Sequence, residues 1–127
     1  MSRIEHIALY VRDLEGAKAF FEAYFGASAG EKYENKGKGF SSYFLTFDGG
    51  SRLELMNLPA LSDRGTEAAV GYGHAAFSVG SRETVDALTA KLAADGYAVV
   101  SPPRTTGDGY YESCVRGFEG ILLEITV

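Results

Sequence analysis

The sequence predicts an α+β fold built from two tandem βαβββ modules, which form a cupped, eight-stranded mixed sheet with the helices outside. Three observations lead to this prediction: an internal repeat at an offset of 68 to 70 positions, an apolar helical stripe in each half, and strand patterns after each stripe. The repeat divides one domain of 127 residues into modules at 1–60 and 70–127, and the loop from Pro59 to Val70 separates them.

Each module is predicted to begin with a short apolar strand followed by a helix. A shift of 68 positions aligns His6 with His74 and Asp13 with Ser81. Aspartate and serine accept hydrogen bonds from the free amides of a first helical turn, so Asp13 and Ser81 predict the two helix starts. Apolar side chains then recur at helical spacing. They are Ala17, Phe20, Phe21 and Tyr24 in the first module, and Val85, Leu88 and Leu92 in the second.

After each helix the pattern changes to that of strands. Gly26 and Gly96 are predicted to end the helices, because glycine readily adopts the left-handed conformation that follows a helix. Gly49 and Gly50 predict a hairpin turn, and the segment PPRTTGDG predicts a loop. The predicted strands are 27–33, 40–47 and 52–57 in the first module, and 97–100, 110–116 and 121–126 in the second.

Composition and charge restrict the classes of partner. The net charge of −5 argues against a surface for nucleic acid or anionic membrane. No apolar run approaches the roughly 20 residues of a membrane span, and no signal peptide is visible. The single cysteine permits no internal disulfide. We therefore expect a cytoplasmic protein with no nucleic-acid or membrane partner.

Strand alternation predicts where the two histidines of the chain point. In the first strand Ile7, Leu9 and Val11 form an apolar face that suits packing under the helix, and His6 lies on the opposite face. In GYGHAAFSVGS, which begins at Gly71, the same phase places His74 on the face away from its helix. Both histidines are therefore expected on the side of the sheet opposite the helices.

The last strand of each module adds a carboxylate on that same face. Glu54 in SRLELMN and Glu124 in ILLEITV are each flanked by apolar residues, and they are 70 positions apart. With pseudo-twofold packing of the modules, His6, Glu54, His74 and Glu124 would converge. Two imidazoles and two carboxylates suit nickel, cobalt, zinc, manganese or ferrous iron. Taken singly, each residue has a structural alternative, a hydrogen-bonded histidine or a solvent-facing glutamate, but the repeat register favours a shared site.

Three segments of the chain resemble signatures of the vicinal oxygen chelate superfamily: HIALYVRDLEGAKAFFEAYFGA, GYGHAAFSV and GILLEI. This superfamily includes glyoxalase I, fosfomycin-resistance enzymes, extradiol dioxygenases and bleomycin-binding proteins. The resemblance spans the chain and is closest to short bacterial glyoxalase I-like proteins. It implies that His6, Glu54, His74 and Glu124 are the ligands of one divalent ion per site, with nickel, cobalt or zinc ahead of manganese or iron. It also implies a homodimer whose sites combine His6 and Glu54 of one chain with His74 and Glu124 of the other.

The activity implied by this resemblance is that of glyoxalase I, which serves methylglyoxal detoxification. Such a lyase converts the hemithioacetal of a 2-oxoaldehyde and a thiol to a thioester, by proton transfer between adjacent carbons through an enediolate held by the metal ion. On the family analogy Glu124 acts as the base and Glu54 faces it as the second catalytic carboxylate. Fosfomycin enzymes and extradiol dioxygenases require two histidines and one glutamate, so the presence of both carboxylates favours an isomerase or lyase.

Three departures from the glutathione-using members concern the thiol cosubstrate. Tyr10 stands where those members carry an arginine, and Leu58 where they carry an asparagine. The segment RGFEG replaces their acidic, proline-containing turn. A thiol other than glutathione, or another substrate, is therefore expected.

Five further residues are candidates for the walls of the substrate pocket. Tyr10, Met56 and Tyr72 share the predicted ligand face, with core filling as the alternative. Tyr110 and Tyr111 belong to the loop segment TTGDGYYES, with a plain turn as the alternative. Two other functions remain open on the same fold. One is a non-enzymatic protein that binds a drug or metabolite, and the other is a metal-dependent dioxygenase or epoxide-opening resistance enzyme.

Overall fold

The computed structural model describes residues 4–63, 70 and 72–127. Among these residues, two helices and nine strands form two compact units, Met1–Arg64 and Gly65–Val127. Each unit has the order βαβββ apart from one divided strand, which confirms the predicted fold class. Part of the predicted boundary loop (64–69) and Gly71 lie outside the described residues.

The first unit consists of one helix on one mixed sheet. Its elements are β1 (His6–Tyr10), α1 (Leu14–Phe25), β2 (Ser28–Ala29), β3 (Tyr33–Asn35), β4 (Phe40–Thr46) and β5 (Arg52–Asn57). The strand order is β1-β5-β4-β2, and β3 also pairs with β4. Strands β1 and β5 are parallel, whereas the other pairs are antiparallel.

The predicted single strand 27–33 is divided into β2 and β3, so the described residues contain nine strands where eight were expected. Both strands pair with β4, but their registers differ by one residue: Ala29 faces Leu45, whereas Tyr33 faces Ser42. The extra residue on this side breaks the ladder, as in a β-bulge. The predicted glycine hairpin is confirmed, since Gly49 and Gly50 both have positive φ angles between β4 and β5.

The second unit repeats this topology with one helix on a four-stranded sheet. Its elements are β6 (Ala75–Ser78), α2 (Arg82–Ala94), β7 (Ala98–Thr105), β8 (Tyr111–Arg116), a 3-10 turn (Phe118–Gly120) and β9 (Leu122–Thr126). The strand order is β6-β9-β8-β7, and β6 is parallel to β9. In both units the first strand therefore pairs in parallel with the last.

Strand β7 runs through part of the segment that was predicted to be a loop. Pro102 and Pro103 lie inside β7, which is the end strand of the four-stranded order. Proline lacks an amide donor, and within sheets it is therefore confined to edges and bulges. The pairing of β7 with β8 shifts register between Val99 and Ser101 and again between Ser101 and Arg104, and these irregularities accommodate the prolines.

The predicted helix signals are confirmed. The Asp13 side chain accepts a hydrogen bond from the Gly16 amide (2.9 Å), and the Ser81 hydroxyl accepts one from the Thr84 amide (3.1 Å). Gly26 ends α1 in the left-handed conformation, at a φ of 65°. Neither helix of the described chain has the length and apolar character that a bilayer crossing requires.

The apolar core of each unit lies between its helix and one face of its sheet. The buried residues are Ala17, Phe20, Phe21, Leu45, Leu53 and Leu55 in the first unit, and Val85, Leu92, Val115, Leu123 and Ile125 in the second. Along β5 and β9 every second residue is buried, so the residues between them face away from the helix.

We expect Ile125→Ala to lower the free energy of unfolding by about 2–5 kcal/mol, because the side chain is fully buried and its truncation leaves a cavity. Val100→Ala, at a position on β7 that is 52% exposed, is the matched control. It should change stability by less than about 0.5 kcal/mol. Urea denaturation followed by circular dichroism measures both, and equal effects would contradict the core assignment.

Candidate functional site

The first His–Glu pair lies on the sheet face of the first unit that is opposite α1. In the parallel pairing of β1 with β5, Ala8 is the partner of Glu54, so His6 and Glu54 share a face. The distance between His6 Nε2 and Glu54 Oε1 is 3.6 Å. The Glu54 side chain is 16% exposed and the His6 side chain 37%. The pair is therefore open to a ligand but partly withdrawn from water.

The second pair occupies the matching place in the second unit. His74 directly precedes β6, and Ala76 is the partner of Glu124 in the parallel pairing of β6 with β9. The distance between His74 Nε2 and Glu124 Oε1 is 2.9 Å. The Glu124 side chain is 24% exposed and the His74 side chain 42%. Each unit thus presents one imidazole nitrogen and one carboxylate oxygen side by side.

The spacing within each pair suits a shared metal ion. Two ligand atoms that each lie about 2.1 Å from one ion are about 3.0 Å apart in octahedral and about 3.4 Å apart in tetrahedral geometry. The separations of 3.6 Å and 2.9 Å lie close to these values. Among the described residues no three histidine, cysteine, aspartate or glutamate side chains form a group that could hold a metal ion. Each pair by itself therefore offers two donor atoms, one nitrogen and one oxygen.

The surroundings of the first pair are charged and aromatic. The Nδ1 atom of His6 contacts the Glu5 carboxylate, and Arg52 donates a hydrogen bond to the same carboxylate (2.5 Å). The hydrogen bond from His6, together with Arg52, lowers the pKa of Glu5. The Phe44 ring meets the His6 ring edge-on, with centroids 5.1 Å apart, and lies 4.3 Å from the Arg52 guanidinium carbon. The His6 imidazole therefore has neighbours on several sides.

The surroundings of the second pair are acidic. Cys114 is the partner of Glu124 across β8 and β9, and Glu112 lies two residues earlier on the same face. Burial and the neighbouring Glu124 carboxylate raise the pKa of Glu112. Burial also raises the pKa of the half-buried Cys114 thiol, and the charge of Glu124 adds to this effect. The thiol is therefore mostly protonated at neutral pH and poorly suited to act as a nucleophile.

Four of the five predicted pocket residues have positions compatible with that role. Tyr10 is the partner of Met56 on the face that carries His6, and Tyr10 is 55% exposed. Tyr72 precedes His74 and is 78% exposed. Tyr110 lies two residues before Glu112 and is 57% exposed. These four side chains remain candidates for substrate contacts.

Tyr111 lies on the opposite face. It alternates with Glu112 and is in phase with the buried Ser113 and therefore faces α2. Its hydroxyl donates to Asp86 on α2 (2.6 Å), and the guanidinium of Arg82 lies over its ring at 4.8 Å. The hydrogen bond to Asp86 raises the pKa of Tyr111. This placement makes Tyr111 a support for α2 on the sheet face opposite Glu124, whereas the sequence made it a candidate for the pocket wall.

A groove of about 450 Å³ in the second unit lies on the helix side. Its lining residues come from α2, β7 and the start of β8, and they are Asp86, Thr89, Ala90, Ala93, Val99, Pro102, Pro103 and Tyr111. None of them belongs to the His74–Glu124 pair. The groove follows from packing of α2 against the proline-containing strand, and it is not the candidate site.

Five neighbours of the two pairs were not predicted from the sequence: Glu5, Phe44, Arg52, Glu112 and Cys114. Two of them, Glu112 and Cys114, can be placed only once the burial of Ser113 and Val115 is known, because the polarity of YESCVR does not mark a face. The sequence also contains no signal for the link between Glu5 and Arg52, which are far apart in the chain.

Comparisons with known proteins agree with this architecture. A family model described as the Glyoxalase/Bleomycin resistance protein/Dioxygenase superfamily matches residues 3–125. The Bacillus subtilis (strain 168) protein YqjT, itself uncharacterized, is 30% identical over 129 residues and 96% of each chain.

Two solved structures are similar over nearly the whole chain. A glyoxalase family protein from Bacillus cereus matches with a TM-score of 0.83 and 24% identity, over 99% of this chain and 93% of that one. The fosfomycin resistance protein FosX from Listeria monocytogenes matches with a TM-score of 0.75 and 25% identity, over 99% of this chain and 93% of that one. Another FosX structure, complexed with Mn(II) and sulfate, matches with a TM-score of 0.74 and 24% identity, over 100% of this chain and 93% of that one.

Proposed function

Since the chain belongs to the Glyoxalase/Bleomycin resistance protein/Dioxygenase superfamily, we propose that it is a metal-dependent lyase of the glyoxalase I type. Its substrate is the hemithioacetal formed from a 2-oxoaldehyde, such as methylglyoxal, and a thiol, and its product is a thioester. The observation that carries this proposal is the repeated His–Glu pair, His6 with Glu54 and His74 with Glu124, at matching strand positions of the two units.

The donor set fits a divalent ion. Two neutral imidazole nitrogens and two carboxylate oxygens suit nickel, cobalt or zinc, and also manganese or iron. His6, Glu54, His74 and Glu124 would hold the ion, and four protein ligands would leave room beside it for substrate oxygens. The ion, when bound, stabilises the negative charge that develops on those oxygens during proton transfer. Support for a divalent metal also comes from FosX, which has been solved with Mn(II).

With two carboxylates in the proposed site, one can act as the base that moves the proton while the other remains an anionic ligand of the metal ion. In this proposal a Glu124 oxygen removes the proton from the carbon that carries sulfur and returns it to the adjacent carbon. Its partly buried position, 24% exposed, keeps that oxygen from full hydration. Glu54 remains on the opposite side of the substrate as the second catalytic carboxylate.

The thiol is proposed to be one other than glutathione. The amide of Asn57 donates hydrogen bonds to the backbone carbonyls of Val11 (2.8 Å) and Arg12 (3.0 Å), and is therefore occupied in fixing the end of β1. The Asn57 side chain is therefore not available to take the place of the asparagine that glutathione-using members carry at the position of Leu58. Tyr10, Met56, Tyr72 and Tyr110 are the proposed substrate contacts.

We expect the metal-free protein to bind one divalent ion tightly per site. His6→Ala and His74→Ala should each weaken binding by more than the ~10- to 100-fold that loss of an outer-shell partner costs. Glu83→Gln, in the exposed first turn of α2, is the control and should leave affinity unchanged. Calorimetry with nickel, cobalt and zinc measures this. Failure of the wild type to bind any of them would leave the non-enzymatic binding protein as the explanation.

A homodimer with shared sites is the second expectation, because half-domains of this size bury little surface alone. Co-refolding the His6→Ala chain with the His74→Ala chain should then restore one tight metal site per mixed dimer. In that dimer one site combines the two intact histidines, and the other combines the two alanines. Sites formed within one chain would give no restoration, and sedimentation at micromolar concentration reports whether a dimer exists at all.

The catalytic test uses Glu124→Gln. The amide keeps the size of the side chain and an oxygen ligand but removes its basicity, so metal should be retained while kcat falls by roughly 10²-fold or more. The assay follows thioester formation from methylglyoxal with glutathione and with other low-molecular-weight thiols, and Glu83→Gln again serves as the control. Full activity in Glu124→Gln would transfer the role of base to Glu54. A metal-loaded wild type that converts no thiol adduct would refute the lyase proposal.

The similarity to FosX supports a second candidate function, fosfomycin resistance by the epoxide opening named above as an alternative. Consumption of fosfomycin by the metal-loaded protein, followed by phosphorus NMR, separates this function from the lyase. Activity on fosfomycin without activity on any hemithioacetal would favour the second candidate.

A further inference from the structure

Glu5 contacts two side chains, His6 and Arg52, next to the His6–Glu54 pair. Its carboxylate contacts His6 Nδ1 through one oxygen and accepts a hydrogen bond from Arg52 through the other (2.5 Å). A glutamate is ionised at neutral pH and can then only accept hydrogen bonds. The proton of a neutral His6 ring therefore lies on Nδ1. The Nε2 atom, whose lone pair is left free, is the atom that faces Glu54.

Arg52 is itself held in place. It is the partner of His6 in the parallel pairing of β1 with β5, and its guanidinium carbon lies 4.3 Å from the centroid of the Phe44 ring. The same ring meets the His6 imidazole edge-on. Exposed ion pairs contribute little to stability on their own. Here, however, the strand pairing and the Phe44 ring fix the position of Arg52. The Glu5–Arg52 ion pair therefore affects the orientation of the His6 ring more than the stability of the fold.

The second unit has no counterpart of this arrangement at the matching sequence positions. Gly73 precedes His74 where Glu5 precedes His6, and Leu122 stands two residues before Glu124 where Arg52 stands before Glu54. Neither of these residues has a side chain that can hydrogen-bond to an imidazole. Cys114 faces Glu124 where Phe44 faces Glu54. The two histidines are thus equivalent in position but differ in the side chains at the positions around them.

We propose that Glu5, oriented by Arg52, is a positioning residue that holds His6 in the Nδ1-protonated tautomer and directs Nε2 toward the metal, whereas His74 has no such partner among the residues that the structure describes. This inference rests on the proposed function for its effect on metal binding. A carboxylate behind a ligating histidine fixes the tautomer and ring orientation and increases the basicity of the ligand. The His6 half of the site is therefore organised before metal arrives.

The tautomer is tested first, on metal-free protein. Long-range ¹H–¹⁵N NMR at a pH where both rings are neutral distinguishes the two tautomers, and the chain has only two histidines to assign. We expect the Nδ1–H form for His6 in the wild type and a shift toward the Nε2–H form, which water favours, in Glu5→Ala. The His74 signals should not change. An unchanged His6 tautomer in Glu5→Ala would overturn the proposal, whether or not the protein binds metal.

Metal affinity is tested second, by competition with a chelator. Glu5→Ala should weaken zinc or nickel binding by about 10- to 100-fold, and Arg52→Met by less, since Glu5 remains. Glu31→Ala, an exposed glutamate in the same unit, is the matched control and should bind as the wild type does. If wild type binds metal and Glu5→Ala binds it equally well, the positioning role is refuted. If wild type binds none, the proposed function fails, and the tautomer experiment alone decides the Glu5–His6 link.

Discussion

The parallel pairing of the first strand with the last in each unit determines where every proposed ligand lies. Leu53 and Leu55 must be buried under α1, as Leu123 and Ile125 must be under α2. Because side chains alternate along a strand, this burial turns the glutamate between each pair toward the opposite face. A slip of one residue would send both glutamates into the apolar core. The hydrophobic core therefore sets the position of the polar site.

The same constraint explains why each glutamate has a histidine beside it. A carboxylate that is three-quarters or more buried costs free energy unless it has a polar partner. In each unit the partner is an imidazole nitrogen, at 3.6 Å for His6 and 2.9 Å for His74. The same two groups, an imidazole nitrogen and a carboxylate oxygen, are the donor types of the metal site proposed above.

The repeat conserves the pairs but not their surroundings. The first pair lies among Glu5, Arg52 and Phe44, whereas the second lies beside Glu112 and Cys114. In the first environment the Arg52 charge is balanced by Glu5, with which it forms an ion pair, whereas in the second Glu112 adds a carboxylate beside Glu124. In the site proposed above, this difference would make the two halves chemically unequal, as proton transfer between two different carbons of a substrate requires.

The sequence alone was sufficient for the features that depend on neighbours along the chain. Helix caps at Asp13 and Ser81, the glycine hairpin and the face of each His–Glu pair follow from local spacing and backbone preference, and all lie where predicted. Recognition of the family followed from the same short segments.

Only the tertiary structure decided the features that depend on which strands meet and in what register. The division of the predicted strand into β2 and β3 comes from a one-residue shift against β4, and the prolines of β7 are tolerated because that strand is at the end of the sheet order. The mixed polarity of YESC does not show which face Tyr111 occupies, and its place beside α2, where its hydroxyl donates to Asp86, is known only from the structure. Glu5 and Arg52, 47 positions apart, are brought together by the β1–β5 pairing. The spacing of residues along a chain predicts which side chains share a face of a helix or strand. Which residues meet across two strands depends on the register of the pairing, which the spacing does not give.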